Sequence, residues 1–352
     1  MKKIGIVTII DNDNYGNRLQ NYAVQEILKK YGYNTITLLN QNCTNNRFLF
    51  IFRILRKSFF EKNKKHINQN RKKNFDNFNK NIIFSKKKIL PFFMPKGYEY
   101  FITGSDQVWN PYMGRMRDID LLAFAPKEKR ISISASFGVD FINKKYQKKL
   151  KRELKKFKSI SVREKEGKKI INTVLKNKKV DVLIDPTMML TKDDWNLVIK
   201  KPRKMNTNKY IINYFLGNIS ENKMNYIQQI ATENNCEIIN ILDPKSQYYE
   251  CGPSEFLYLE KNAFLICTDS FHASVFAIIF DRPFIIFERE SKNNKMNSRI
   301  KTLLSKFQLK DREYNDKVSK DNYLKHNYSF SYKILEDERK KVKKFLNKAL
   351  NT

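Results

Sequence analysis

Hydrophobic residues in this chain come in short runs, each closed by a polar loop and followed by a stretch of helical periodicity. Residues 4–10 are nearly all apolar, which predicts a strand of a parallel sheet covered on both faces. The polar loop 11–17 follows. Leu19, Tyr22, Ala23, Ile27 and Leu28 then recur at helical spacing as far as Tyr31-Gly32-Tyr33, and 35–39 predict a second strand. This is a β-loop-α-β unit of the doubly wound kind. The alternation continues with strands at 100–103, 130–138 (running into a loop), 159–162 and 180–184, and with helices over 146–157 and 164–178. Residues 185–190 read as a linker, because Pro186 biases Asp185 to extended backbone. The pattern then restarts. Strands are predicted at 210–216, 237–242, 264–268 and 282–287. Helices are predicted through 224–232, from Pro253 and Glu255, after Ser270, and over 332–350.

Strands alternating with helices predict an α/β protein with parallel sheets. The restart predicts two Rossmann-like domains, 1–185 and 186–352, the second carrying a C-terminal helix, with a substrate cleft between them. Residues 44–97 break the rhythm: Phe and Ile alternate irregularly with Lys, Arg and Asn. They predict a basic helical insertion, with apolar positions enough to pack on a domain or to lie on an anionic membrane.

The length of 352 residues can bury a sizeable core. The balance of 69 Lys and Arg against 36 Asp and Glu, a formal +33, favours anionic partners such as a phospholipid surface or phosphorylated small molecules. The excess is mostly Lys and accompanies abundant Asn and Ile, so compositional drift is a reading of it that needs no partner. Nucleic acid is not expected, since zinc-finger spacing, RNP motifs and Arg-rich arms are all missing from the sequence. Four cysteines without CxxC spacing suggest neither a metal site nor a redox pair. The first apolar run is too short for a signal peptide, and none approaches a membrane span. The expected location is the cytoplasm, with the basic surface able to sit at the inner face of a membrane.

In an open parallel sheet, ligands lie beyond the carboxyl ends of the strands. Four loops there are chemically rich. Asn14, Gly16 and Asn17 follow the first strand, with Arg18 beside them; the glycine permits close backbone approach. Ser105, Asp106, Gln107, Trp109 and Asn110 combine polar groups with an aromatic ring, a mixture that suits carbohydrate, although a core anchor is the plainer reading of Trp109. Arg163, with Glu164 next to it, ends a short strand where a guanidinium can clamp phosphate or carboxylate. Ser270, Phe271, His272 and Ala273 open a helix after a buried strand. There His272 can do acid–base chemistry, Asp269 can orient it, and helix N–H groups can hold an anion. Arg299 raises the same possibility as Arg163 from a later helix.

These loops, in this order, resemble the polysaccharide pyruvyl transferase family. The matching pieces are Asp13-Asn14-Tyr15-Gly16-Asn17-Arg18-Leu19-Gln20-Asn21-Tyr22-Ala23, Gly104-Ser105-Asp106-Gln107-Val108-Trp109-Asn110, Ser161-Val162-Arg163-Glu164, Asp185-Pro186-Thr187, Thr268-Asp269-Ser270-Phe271-His272-Ala273 and Asn297-Ser298-Arg299-Ile300. The resemblance implies a GT-B-like fold of two Rossmann-type domains facing a central cleft. It implies transfer of the pyruvyl group of phosphoenolpyruvate to a sugar of a bacterial surface polysaccharide or its lipid-linked precursor, forming a ketal. It assigns Arg163 and His272 to catalysis at the donor. Asn14, Gly16, Asn17, Ser270, Phe271, Ala273 and Arg299 are then expected around the donor, and Ser105, Asp106, Gln107, Trp109 and Asn110 around the acceptor. Neither cofactor nor metal is expected. Where some branches of the family carry Arg-Leu-His, this chain has Ser270-Phe271-His272, so Arg299 or Arg18 is expected to supply the missing cation. The alternative on the same architecture is a glycosyltransferase that uses a nucleotide-sugar; a basic protein that only binds anionic polymers or membrane is a third reading.

Overall fold

The structure, a computed structural model, describes residues 1–11, 13–40, 68–89, 93–289 and 298–351. Strands β1 (Lys3–Val7), β2 (Asn34–Thr37), β3 (Tyr98–Thr103), β4 (Arg130–Ala135), β5 (Ser159–Val162) and β6 (Asp181–Val182) form one sheet, in the order β2-β1-β3-β4-β5-β6. Strands β7 (Tyr210–Tyr214), β8 (Glu237–Asn240), β9 (Leu265–Thr268) and β10 (Phe284–Ile286) form the second, in the order β10-β9-β7-β8. Every pairing in both is parallel.

Both sheets are wound the same way. From β1 the chain goes to one side for β2 and to the other for β3; β7, β8 and β9 repeat the move. Each sheet therefore has a switch point at which the loops leaving adjacent strands part to opposite faces and open a crevice. Residues that follow β9 touch residues that follow β1, so the carboxyl ends of the two sheets face each other. This is the α/β, GT-B-like arrangement of two Rossmann-type sheets about a cleft.

Local chemistry sets the elements that matter. Asn14 is extended, and its side chain accepts the Asn17 N–H at 3.1 Å, which starts helix Tyr15–Lys30. The strands β1, β4 and β9 are buried almost throughout; β1 and β9 read as nearly continuous apolar runs, while β4 alternates Ile131 and Ile133 with the buried, hydrogen-bonded Ser132 and Ser134. Helix Phe271–Phe280 is buried on all sides, as its wholly apolar sequence after Ser274 requires.

The two sheets share packing. Trp195 lies between Tyr22 and Phe276, at centroid distances of 5.6 and 5.0 Å. The stretch expected to be a linker begins as a short buried helix, Pro186–Met189, with Asp185 as its N-cap. Helix Ser329–Leu350 runs from the second sheet back to the first: Tyr33 and Tyr100 hydroxyls reach the Leu350 carbonyl at 3.4 and 3.5 Å.

Much of the expected basic insertion, residues 44–67 and 90–92, lies outside the described residues. Within it, helix Gln69–Asn79 buries Arg71, Phe75 and Phe78 at the junction of the two sheets. Arg71 donates to Asp13 Oδ1 (2.7 Å), Tyr15 Oη (2.6 Å) and the Tyr249 carbonyl (2.9 Å), and its guanidinium lies over the rings of Tyr15, Phe75 and Tyr249.

Candidate active site

The β3 loop forms the floor. Gly104 has φ +118, and a Cβ there would come within 2.2 Å of the Ile133 carbonyl, so only glycine fits. Ser105 N–H donates to Gln20 Oε1 (3.0 Å), and its hydroxyl lies 3.0 Å from Asp185 Oδ2 and 3.1 Å from the Ser134 carbonyl. Asp106 follows with φ 61 and turns its carboxylate toward the β5 loop.

Arg163 leaves β5 buried. Its Nη1 donates to Asp185 Oδ2 at 2.6 Å and its Nη2 to Asp106 Oδ1 at 3.3 Å. Asp185 is held in turn by the Thr187 N–H (3.0 Å) and hydroxyl (2.7 Å) on its other oxygen. Glu164 Oε1 accepts from the Ser136 hydroxyl and from the Phe137 and Gly138 N–H groups. Arg163 and Glu164 do pair, with Nε 4.0 Å from Oε2, but both side chains are inside rather than on the surface.

The second domain contributes the other wall. Phe271 sits under two cations, with Arg163 Cζ at 4.5 Å and Arg299 Cζ at 5.8 Å from its ring centroid. His272 Nε2 stands 3.9 Å from Asp185 Oδ2, and Arg299 Nη1 stands 3.6 Å from Asp106 Oδ1. The imidazole packs directly on Gly16. No side chain caps the N-terminus of helix Phe271–Phe280, which leaves its leading N–H groups beside His272. Among the described residues, the buried atoms Arg163 Nε, Arg299 Nε, His272 Nε2 and Glu164 Oε2 have no hydrogen-bond partner. Buried polar atoms without a hydrogen-bond partner call for an explanation, and a bound anion is one that fits the three nitrogens here.

Burial and charge tune the cluster. Burial would raise the Asp185 carboxyl, but Arg163, then His272 and the Thr187 N–H, outweigh it and bring its pKa to about 2. Asp106 is lowered despite its burial, chiefly by Arg163, with His272 and Arg299 helping. For His272 burial wins: its pKa is lowered although Asp185 and Asp106 favour the charged form, and the imidazole is neutral at pH 7. Arg299 falls to about 10, mainly through burial and then through repulsion from Arg163.

Of the expected site residues, Gly16, Ser105, Asp106, Arg163, Phe271, His272 and Arg299 come together. Ser270 and Ala273 flank them at the helix start. Asn14 acts as a helix cap, and Asn17 beside it lies 3.5 Å from Asp11. Gln107 and Asn110 bond to each other at 2.7 Å, and Asn110 caps the turn Pro111–Met113. Trp109 has no exposed surface: its indole packs on Phe137 and Phe157 and donates to the Asp120 carbonyl, so it presents no face to an acceptor. Arg18 is equally buried and donates to the Ile9 carbonyl, so Arg299 is the second arginine beside Arg163. Asp269 does not orient His272. It accepts from the Leu216 and Gly217 N–H groups and from Arg289, bridging the β7 and β9 loops at the second switch point. The carboxylate nearer the imidazole is Asp185, from the stretch expected to be a linker. Its signal was present: an Asp-Pro-Thr sequence is a helix start whose carboxylate points back along the chain.

The described residues hold no group of three His, Cys, Asp or Glu side chains able to bind a metal ion, and no described helix is long and apolar enough to cross a membrane.

The fold and this interdomain cluster define an α/β protein of two facing parallel sheets with a buried polar site between them, and the family it falls in is one of transferases. Residues 14–291 match the model of the family described as polysaccharide pyruvyl transferase, which is most of the chain, and the protein belongs to that family. No curated protein matches the sequence significantly. Solved structures of similar layout include a UDP-GlcNAc 2-epimerase from Methanocaldococcus jannaschii (13% identity, 95% of this chain and 99% of that one, TM-score 0.45). A glycosyltransferase from Rickettsia africae (12%, 100% of each chain, 0.42) and MurG from Acinetobacter baumannii (10%, 97% and 95%, 0.39) are others. Likeness at this level carries nothing about substrate.

Proposed function

We propose that the protein moves the pyruvyl group of phosphoenolpyruvate onto two hydroxyls of one sugar, in a bacterial surface polysaccharide or its lipid-linked precursor, releasing phosphate and leaving a ketal. The observation that carries this reading is the pair Arg163 and Arg299 flanking Phe271 beside His272, with orphaned nitrogens on all three polar side chains. Phosphoenolpyruvate has a phosphate and a carboxylate, and two guanidiniums plus uncapped helix N–H groups are suited to hold both.

The proton accounting closes on His272. Its imidazole is neutral before the donor arrives. A bound dianion beside it favours the charged form. The imidazolium then delivers a proton to C3 of the enol, and C2 becomes electrophilic. The first sugar hydroxyl forms a bond to C2 and gives its proton to the imidazole. That proton goes to the leaving phosphate as the C2–O bond breaks. The second hydroxyl closes the ketal and restores the imidazolium. Asp185 and Asp106 stabilise the charged imidazole and fix Arg163.

The test is incubation with phosphoenolpyruvate and a panel of soluble and lipid-linked sugars. Phosphate release with a ketal methyl signal in the NMR spectrum of the product is expected. His272→Gln should abolish both with the fold intact. Transfer from a UDP- or GDP-sugar, with no stabilisation by phosphoenolpyruvate, would replace this reading by that of a glycosyltransferase.

A further inference from the structure

A patch of exposed apolar and cationic side chains borders the carboxyl end of the first sheet. Tyr112, Met113 and Phe141 expose 48, 55 and 53% of their surface. Tyr112 and Met113 lie in the turn Pro111–Met113, which Asn110 caps and which closes the β3 loop. Phe141 lies three residues beyond Gly138, whose N–H bonds to Glu164. The two segments touch: the Tyr112 hydroxyl accepts the Asn143 N–H at 3.2 Å, and Tyr112 meets Tyr146 edge-on at 5.8 Å. So the patch is an extension of the loops that build the site floor.

Helix Lys144–Leu154 starts at this spot and is strongly basic. Between 144 and 156 there are eight Lys and Arg, and the one acid, Glu153, is buried and already paired with Arg130, Arg152 and Lys156. Lys144, Lys145, Lys148, Lys151 and Lys155 are exposed and have no carboxylate within ion-pair distance among the described residues. Lys145 stacks its ammonium on Tyr146, 5.1 Å from the ring centroid. Of the nearby acids, Asp118 holds Lys149 at 2.8 Å, and Asp140 is exposed.

The C-terminal helix also carries many lysines and one exposed Phe330, but part of its charge is neutralised within the helix, and among the described residues its exposed Lys333, Lys343, Lys344 and Lys348 adjoin no comparable group of exposed aromatic and thioether side chains. Arg339, Lys340 and Lys341 pair with Glu336, Asp337 and Glu338. Helix Lys144–Leu154 is different because its unpaired lysines adjoin three exposed large side chains.

We infer that Tyr112, Met113 and Phe141, with Lys144, Lys145 and Lys148, dock the protein on an anionic phospholipid surface, holding the mouth of the cleft against the membrane. Aromatic and thioether side chains enter the headgroup boundary while lysines meet lipid phosphates. This deepens the reading of a lipid-linked acceptor, but its test is independent of turnover. It also gives the charge of the chain a specific place rather than a diffuse one.

The experiment is vesicle flotation of the full chain with phosphatidylcholine alone and with phosphatidylcholine plus phosphatidylglycerol. Binding is expected only to the anionic vesicles, and should weaken with salt. The variant Lys144→Glu/Lys145→Glu/Lys148→Glu should bind about tenfold more weakly or worse, and so should Tyr112→Ser/Met113→Ser/Phe141→Ser. The control Lys333→Glu/Lys343→Glu/Lys344→Glu makes the same charge change elsewhere and should bind as the parent does. Circular dichroism and thermal melting verify that all three are folded. Absence of binding by the parent, or equal loss in the control, overturns the proposal. Duplex DNA binding that the lysine variant loses and the apolar variant keeps, with no vesicle binding, would point to nucleic acid instead.

Discussion

The imidazole of His272 lies so close over Gly16 that a Cβ at position 16 would come within 2.1 Å of Nδ1. The two residues belong to different sheets. One begins the first helix after β1 and the other begins the helix after β9, so this contact joins the two switch points.

Gly16→Ala should therefore push His272 off its position rather than merely crowd a loop. A misplacement of about 1 Å can cost roughly a hundredfold in rate, and that is the fall expected in kcat. The capped helix start at Asn14 is unchanged, so the melting temperature should drop only modestly. Phosphate-release kinetics and a thermal melt on the same sample measure both. Full activity would mean that the contact does not position the histidine.

Arg163 should matter to stability as well as to turnover. It neutralises two buried carboxylates, Asp185 and Asp106. Arg163→Met should cost about 3–5 kcal/mol in urea unfolding, since it strands buried charge. Adding Asp185→Asn should recover part of that loss, because the second change removes one stranded charge. A double-mutant cycle reads the coupling directly.

Acid should weaken the protein through Asp185. Its folded pKa of about 2 lies below the usual unfolded value of about 3.9. A depressed carboxyl contributes stability that is present above the unfolded pKa and lost as pH falls through the folded one. The window is thus between about pH 4 and pH 2, and the loss is about 2 kcal/mol. Asp185→Asn should flatten the urea midpoint across that window while lowering it at pH 7.

Glu260 works in the opposite direction. It is fully buried in helix Pro253–Asn262, both carboxyl oxygens have no partner among the described residues, and burial raises its pKa well above the usual value. A raised carboxyl is least costly below its unfolded pKa and increasingly costly as pH rises toward the folded one. Glu260→Gln should leave stability near pH 4 almost unchanged and raise it at pH 7 by about 1 kcal/mol or more. Melting curves of the two proteins at several pH values should converge on the acid side; curves that stay parallel would contradict the assignment.

The sheets were legible because strands covered on both faces are mostly apolar, as β1 and β9 are, and because β4 still carries Ile131 and Ile133 between its buried serines. Polar loops at strand ends likewise pointed to the cleft, and Arg163, His272 and Arg299 meet there. What could not be read was which polar residue in a loop serves structure. Trp109 and Asn110 share a loop with Asp106, yet the indole faces the core and the amide caps a turn. Asp269 adjoins Ser270 in sequence but points across to the β7 loop. Asp185, 87 positions from His272, is near it only because two sheets meet. Pairings of that kind depend on tertiary placement, which a local pattern does not encode.

The return of helix Ser329–Leu350 to the first sheet ties folding to synthesis. Tyr33 and Tyr100 find their carbonyl partner 317 and 250 residues later. During translation the first sheet emerges early, but the rim around these tyrosines stays uncovered until the last helix is made. Contacts so distant in sequence also slow the final docking step. The amino-terminal half is thus the part most in need of protection on the ribosome, and its final closure waits for the other end of the chain.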